Sequence, residues 1–215
     1  MDEMVLRSML KWPNVPAVYG WLRLDRRGQW LIRQPDPKKD AAAKTAPGGQ
    51  GVAPRFERVV NPAMNEFIGR NYACDSEGRY FFQNGPQRVY VALEYTPWIY
   101  RFDSPAQEFV AHTGATAGPP KHAYIDDRGG VIVVCAPGPG VVLDRDLEAL
   151  TEGFSDLAGT RIDFGELIEP LAAGHRVRVR LGGAELTVEG IRAQELPARF
   201  GFVPRPAPPE GRPDC

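Results

Sequence analysis

The pattern that most restricts this chain is a short turn spelled four times: Asp25-Arg26-Arg27-Gly28, Asp75-Ser76-Glu77-Gly78, Asp126-Asp127-Arg128-Gly129 and Asp156–Gly159. Aspartate at the first position of such a turn accepts backbone N–H groups. Glycine at the last takes the left-handed conformation that closes two antiparallel strands. Alternation flanks the first copy, with Val18, Gly20, Leu22 and Leu24 on one side and Tyr19, Trp21 and Arg23 on the other. Tyr80–Phe82 follows the second copy, and Val131–Val134 follows the third. Two further hairpins are marked by Asn84-Gly85 and Gly182-Gly183.

These turns repeat in register with the helices. Asp25, Arg27 and Gly28 recur as Asp126, Arg128 and Gly129, an offset of 101 from 25 to 126. The capped helices predicted at Asn61-Pro62 and Asp144 are offset by only 83. The missing 18 residues equal the length of Gln34–Gly51, a Pro-, Gly-, Ala- and Lys-rich stretch with nothing to bury. The ending Pro97-Trp98-Ile99-Tyr100-Arg101-Phe102 aligns with Pro197-Ala198-Arg199-Phe200-Gly201-Phe202 as a proline-bent strand closing each unit. The expected fold is therefore α+β: two structurally similar subdomains, each of antiparallel strands with one helix. Residues 1–17 form an N-terminal helix, capped by Asp2, and a linker. Residues 18–103 form the first repeat, with a disordered insertion at 34–51, and 104–203 the second. A disordered tail runs over 204–215.

Composition narrows function by exclusion. With 26 Lys+Arg against 27 Asp+Glu, the net charge of −1 argues against whole-chain attraction to nucleic acid or to an anionic membrane. Cys74, Cys135 and Cys215 have neither an even count nor a close spacing, so free thiols in a reducing compartment are expected. The opening MDEMVLRSML lacks a basic leader and a long apolar core, and the apolar Val131–Leu143 is short and broken by glycine and proline. A cytoplasmic location is the expectation.

The residues Asp25-x-x-Gly28-x-Trp30, a helix, Asp75-x-x-Gly78-x-Tyr80, Pro86, Arg88-Val89, Glu94 and Pro97-Trp98 resemble the bacterial domain-of-unknown-function family twelve-eighty-five. The opening WPNVPAVYGWLRLDRRG is similar to small uncharacterised proteobacterial proteins. The first resemblance implies two similar α+β motifs and a role in signalling without an established ligand. It differs in placing Glu94-Tyr95-Thr96 where an acidic pair precedes the proline, and in carrying the insertion. It supplies no functional residues.

Nucleophile-elbow, zincin, phosphate-loop and dinucleotide motifs are missing from the sequence. His112, His122 and His175 are scattered. With Cys74 and Cys135 they could meet at zinc only through distant pairings, which is unusual for structural zinc. Cys135 with His122 or His112 could form a thiolate nucleophile, but Cys135 ends an apolar strand where a thiol is inert. Neither metal nor cofactor is expected.

Arg176, Arg178 and Arg180 form a basic row. With Gly182-Gly183 as the turn, however, Arg180 faces Glu185, Arg178 faces Thr187 and Arg176 faces Glu189, so the row is neutralised within its own hairpin. The aromatics Trp98, Tyr100 and Phe102 on one strand, and Tyr19 and Trp21 on another, suit core packing between repeats. The sharper alternative is an aromatic cleft at the repeat interface, with Trp21, Arg23, Arg88, Glu94, Trp98 and Tyr100 as its ligand-binding residues. Two functional expectations follow. One is a non-enzymatic module binding a small molecule or a protein partner in a regulatory or accessory role. The other is an enzyme, such as a hydrolase, with Cys135, His122 or acidic residues assembled across the halves.

Overall fold

The computed structural model describes residues 1–35, 54–181 and 184–209. Residues 36–53, which hold most of the insertion expected at 34–51, lie outside the described residues, as do Gly182-Gly183 and 210–215. The chain is α+β with two sheets. After helix α1 (Glu3–Lys11), the first sheet comprises β1 (Val18–Leu24), β2 (Trp30–Arg33), β3 (Phe56–Arg58), β4 (Tyr72–Cys74), β5 (Tyr80–Asn84) and β6 (Gln87–Leu93), with helix α2 (Pro62–Arg70) between β3 and β4. The second sheet comprises β7 (Trp98–Asp103), β8 (Glu108–Ala111), β9 (His122–Asp126), β10 (Val131–Cys135), β11 (Gly138–Val142), β12 (Phe154–Ser155), β13 (Val177–Leu181) and β14 (Ala184–Ile191). Helices α3 (Leu147–Glu152), α4 (Phe164–Ala172) and α5 (Leu196–Phe200) belong to this half.

The repeat is written in the strand order. The first sheet runs β4-β5-β6-β1-β2-β3, and the second runs β12-β13-β14-β9-β10-β11 before adding β7-β8 at its edge. Position for position these are the same six strands. The intervening helix also recurs, α2 between β3 and β4 and α3 between β11 and β12. Each sheet is mixed rather than purely antiparallel, because β1 pairs with β6, and β9 with β14, in parallel. The topology demands this. The chain crosses from one edge to the other through the helix, then meanders back to the centre and arrives beside the first strand in the same direction. A third parallel pair, β7 with β11, attaches the extra hairpin.

The four turns share one hydrogen-bond scheme. Asp25 Oδ1 accepts from Arg27 N at 2.9 Å and Gln29 N at 2.7 Å. Asp75 does the same with Glu77 and Arg79 at 3.0 Å each, and Asp126 with Arg128 and Gly130 at 2.8 and 2.7 Å. Asp156 keeps only the bond from Thr160 N, at 2.8 Å. Their glycines all have positive φ, between 75° and 91°.

Three sequence expectations need correction. Trp98–Asp103 is a strand of the second sheet, whereas Pro197–Phe200 is helical, so the two proline-led endings are not equivalent. Proline is accepted in the first turn of a helix, where its missing N–H has no partner to lose, and Gly201 at φ 67° closes α5. Asp144 does not cap a helix: it begins a 3-10 turn, Asp144–Asp146, that leads into α3. Asp2 occupies the cap position of α1 but its side chain makes no cap bond; it instead accepts from Arg70 and Asn71 at the C-terminal end of α2. By contrast, Asn61 Oδ1 accepts from Met64 N at 3.1 Å and Pro62 opens α2, as expected. Of the expected tail, Pro204 is tied in place, its carbonyl accepting from Leu93 N at 2.7 Å.

Two cores follow from strand alternation. Leu22, Leu24, Trp30, Tyr72, Phe82, Val91 and Leu93 of the first sheet meet Ile99, Tyr124, Ile132 and Val141 of the second. The intervening residues Tyr100, Ala123, Val131, Val133, Cys135 and Val142 face the other way, into a core shared with Leu150, Phe154, Leu167 and Leu171. Both faces of β10 are therefore buried, which is why Val131–Val134 reads as an unbroken apolar run. A third, small cluster of Tyr19, Phe81 and Tyr90 lies on the outer face of the first sheet.

Candidate functional site

Where the first turn meets the edge of the second sheet, a cleft of about 960 Å³ opens. Three segments build most of it, the Asp25–Gln29 turn, the β7-β8 hairpin at Ile99, Arg101 and Val110–His112, and Leu143–Arg145 leading to α3, with Glu94 and Gly114 completing the lining. Its size is that of a small-molecule site. Buried Ile99 and Ala111 contribute apolar lining. Arg26, Arg27, Arg101 and Arg145 supply cationic groups, and Asp25, Glu94 and Asp144 carboxylates.

These charges are not equally free. Asp25 spends Oδ1 on its own turn. Arg26 lies over the ring of Tyr95, 4.3 Å from its centroid, and Arg145 pairs with Asp146 at 3.4 Å. Arg27 and Arg101 are exposed and, among the described residues, form no ion pair.

Tyr95 joins the two repeats at this point. Its hydroxyl donates to buried Asp126 Oδ2 in the turn equivalent to that of Asp25. Burial first, then this hydrogen bond and the Asp126 charge, push the phenol well above its ordinary value, so it stays a donor.

His112 stands at the wall. Its Nδ1 accepts from Ile99 N–H at 3.3 Å, and Ile99 O accepts from His112 N–H at 2.8 Å. The ring touches Trp30, Tyr72 and Trp98, with centroids 5.1, 5.6 and 5.7 Å away. Burial pushes its pKa down to about 3, and Nε2 is buried without a hydrogen-bond partner. A neutral imidazole among aromatic rings is a packing element, not a base near neutral pH.

The six predicted ligand-binding residues do not converge. Trp21, Arg23 and Arg88 lie on the outer face of the first sheet, with Arg23 over Phe56 at 3.7 Å, Arg88 over Phe81 at 4.5 Å and Arg33 over Trp21 at 5.4 Å. Glu94 alone lines the cleft. Trp98 packs against Tyr72, 5.3 Å away, and Tyr100 is wholly buried, its hydroxyl donating to Gly138 O at 2.9 Å. Tyr100 lies flat across Gly140, where a Cβ would come within 2.4 Å of its ring.

The cysteine–histidine pairing does not form either. Cys135 faces the second core, and burial pushes its thiol up to about 12. His122 is exposed and opposite Val134, on the other side of the sheet from Cys135. Among the described residues, no three His, Cys, Asp or Glu side chains cluster to hold a metal ion. The basic row is paired as expected, Arg180 with Glu185 at 2.7 Å and Arg176 with Glu189 at 3.4 Å. Sequence reading missed the cleft arginines because Arg26, Arg27, Arg101 and Arg145 sit in three segments joined only by the packing of the sheets. The one available signal was the x-x of the first Asp-x-x-Gly, both arginine here.

Among the described residues, no helix is long and apolar enough to cross a membrane. No curated protein matches the chain. Two solved structures are similar to it. A DUF1285 family protein from Silicibacter pomeroyi DSS-3 has 15% identity and a TM-score of 0.43, over 91% of this chain and 98% of that one. A DUF1285 family protein from Shewanella baltica OS155 has 12% identity and a TM-score of 0.35, over 58% of this chain and 84% of that one. The DUF2944 family model, described as "Protein of unknown function (DUF2946)", matches residues 1–207, and the chain belongs to that family.

Proposed function

We propose that this protein is a non-enzymatic binding module of the cytoplasm, holding a small organic acid or phosphate ester in the cleft between its repeats and acting in a regulatory or accessory role. The observation that carries this reading is the pair Arg27 and Arg101, exposed on two different sheets and without carboxylate partners among the described residues, across a cleft of about 960 Å³. Guanidinium groups suit carboxylate and phosphate because their planar forks match both oxygens. A ligand gripped from both sheets would stiffen the seam at Tyr95, a change that a partner protein can read. The hydrolase alternative has no observation in its favour, since Cys135 is a buried thiol and His112 a neutral packing group.

A thermal-shift screen of small organic acids, phosphate esters and neutral sugars tests this. An acidic compound is expected to raise Tm in the wild-type protein and to lose most of that effect in Arg27→Glu and in Arg101→Glu. Stabilisation that survives both substitutions, or turnover of the stabilising compound, would overturn it.

A further inference from the structure

A second surface stands apart from the cleft and does not depend on it. On the outer face of the first sheet, strand register places Arg58 opposite Leu31 and Leu31 opposite Arg23. It likewise sets Phe56 opposite Arg33, and Phe81 opposite Tyr90 with Arg88 nearby on β6. Every charged side chain that these strands turn outward is an arginine: Arg23, Arg33, Arg58 and Arg88. Among the described residues, Arg23, Arg58 and Arg88 form no ion pair. Asp75 and Glu77 are taken up by Arg79, at 2.8 and 3.1 Å, and Glu94 lines the cleft beyond β6. Burial first, and then the positive charge of Arg205, hold the Arg23 guanidinium below its ordinary pKa, with Glu94 acting in the opposite direction.

Stacking organises these cations. Arg23 lies over Phe56, Arg88 over Phe81, Arg33 over Trp21 and Arg79 over Tyr90 at 4.9 Å, while Tyr19 and Tyr90 stack at 4.6 Å. A guanidinium held flat on a ring has already lost its rotamer freedom and keeps its N–H edge available for an anion. The same stacking covers faces of the aromatic rings on which the bases of a nucleic acid would have to stack.

Spacing also matters. Arg23 is opposite Ala92, and Arg88 lies four residues back along β6, so the two cations stand about 13 Å apart at strand rise. An extended peptide presents side chains on one face every second residue. Carboxylates at i and i+4 therefore match this span.

We propose that the outer face of the first sheet docks an extended acidic segment of a partner protein, its carboxylates seated on Arg23 and Arg88. Labelled polyglutamate and labelled oligo-thymidylate, each of about twenty units, are titrated into the full chain by fluorescence anisotropy at low and at moderate salt. Polyglutamate is expected to bind more tightly than oligo-thymidylate. Its affinity should fall at least tenfold in Arg23→Glu/Arg88→Glu and stay unchanged in Arg176→Glu/Arg180→Glu, a pair on the β13 side of the second sheet with the same charge change. The milder Arg23→Lys/Arg88→Lys pair keeps the charge and the fold, and is expected to weaken binding about threefold by losing the planar fork. The idea fails if polyglutamate does not bind, if both Arg23/Arg88 pairs bind it like the wild type, or if oligo-thymidylate binds more tightly with the same arginine dependence. That last outcome would make the face a nucleic-acid surface.

Discussion

His112 shows how far a side chain's role is set by surroundings that a sequence does not display. As a letter it is a candidate ligand or base. In place it accepts a backbone N–H and is walled by three aromatic rings. The consequence is a pH dependence of known sign. Below the ordinary histidine value of 6.5 the unfolded chain takes up a proton that the folded one refuses until about pH 3. Stability is thus full above 6.5 and drains away as pH falls through that window, with a slope approaching 1.4 kcal/mol per pH unit from this group. Urea unfolding between pH 6.5 and 4 is expected to show this slope in the wild-type protein and a shallower one in His112→Phe. Identical slopes would mean that the ring is protonated in the folded state. The same blindness affected Tyr100. Its aromatic identity was legible, but its burial under β11 depends on Gly138 and Gly140, read from sequence only as a break.

At the scale of elements, the four turns were legible because their chemistry is local: an aspartate oxygen reaches N–H groups two and four residues on, whatever the rest of the chain does. The parallel pairing of β1 with β6 was not legible, since it depends on which edge α2 delivers the chain to. Nor was α5, because Pro197 fits a strand bend and a helix start equally well until its neighbours are packed. Turns with one formula also differ in what they touch. A Cβ on Gly78 would sit 1.9 Å from the Gly201 carbonyl oxygen, and Gly78 O accepts from Val203 N, so the second turn is seated backbone to backbone on the end of α5. Gly129, at nearly the same φ, meets nothing within 4 Å. Alanine at Gly129 therefore carries only the left-handed strain, about 1 kcal/mol. Alanine at Gly78 must also displace the Gly201–Phe202 backbone and is expected to cost at least about 3 kcal/mol by urea unfolding. Equal losses at both sites would show that the contact with Gly201 does not hold in solution.

For the whole molecule, the duplication is what creates a seam, and the seam is where the functional reading rests. The repeat could be read in the sequence because the insertion at 34–51 accounts for the offset between turns and helices. The addition of β7-β8 to the second sheet could not, because it breaks the symmetry that made the repeat visible. That added hairpin carries Ile99, Arg101 and His112, and so builds one side of the cleft against the first repeat's turn. A ligand there must touch both sheets. Amide hydrogen exchange of the full chain, with and without the acidic compound that most raises its Tm, reads this directly. Slowed exchange is expected in residues 25–29, 99–101 and 143–145, with the outer strands β3 and β13 unchanged. Protection confined to one sheet, or lying wholly outside those three segments, would contradict a binding site at the seam of the two repeats.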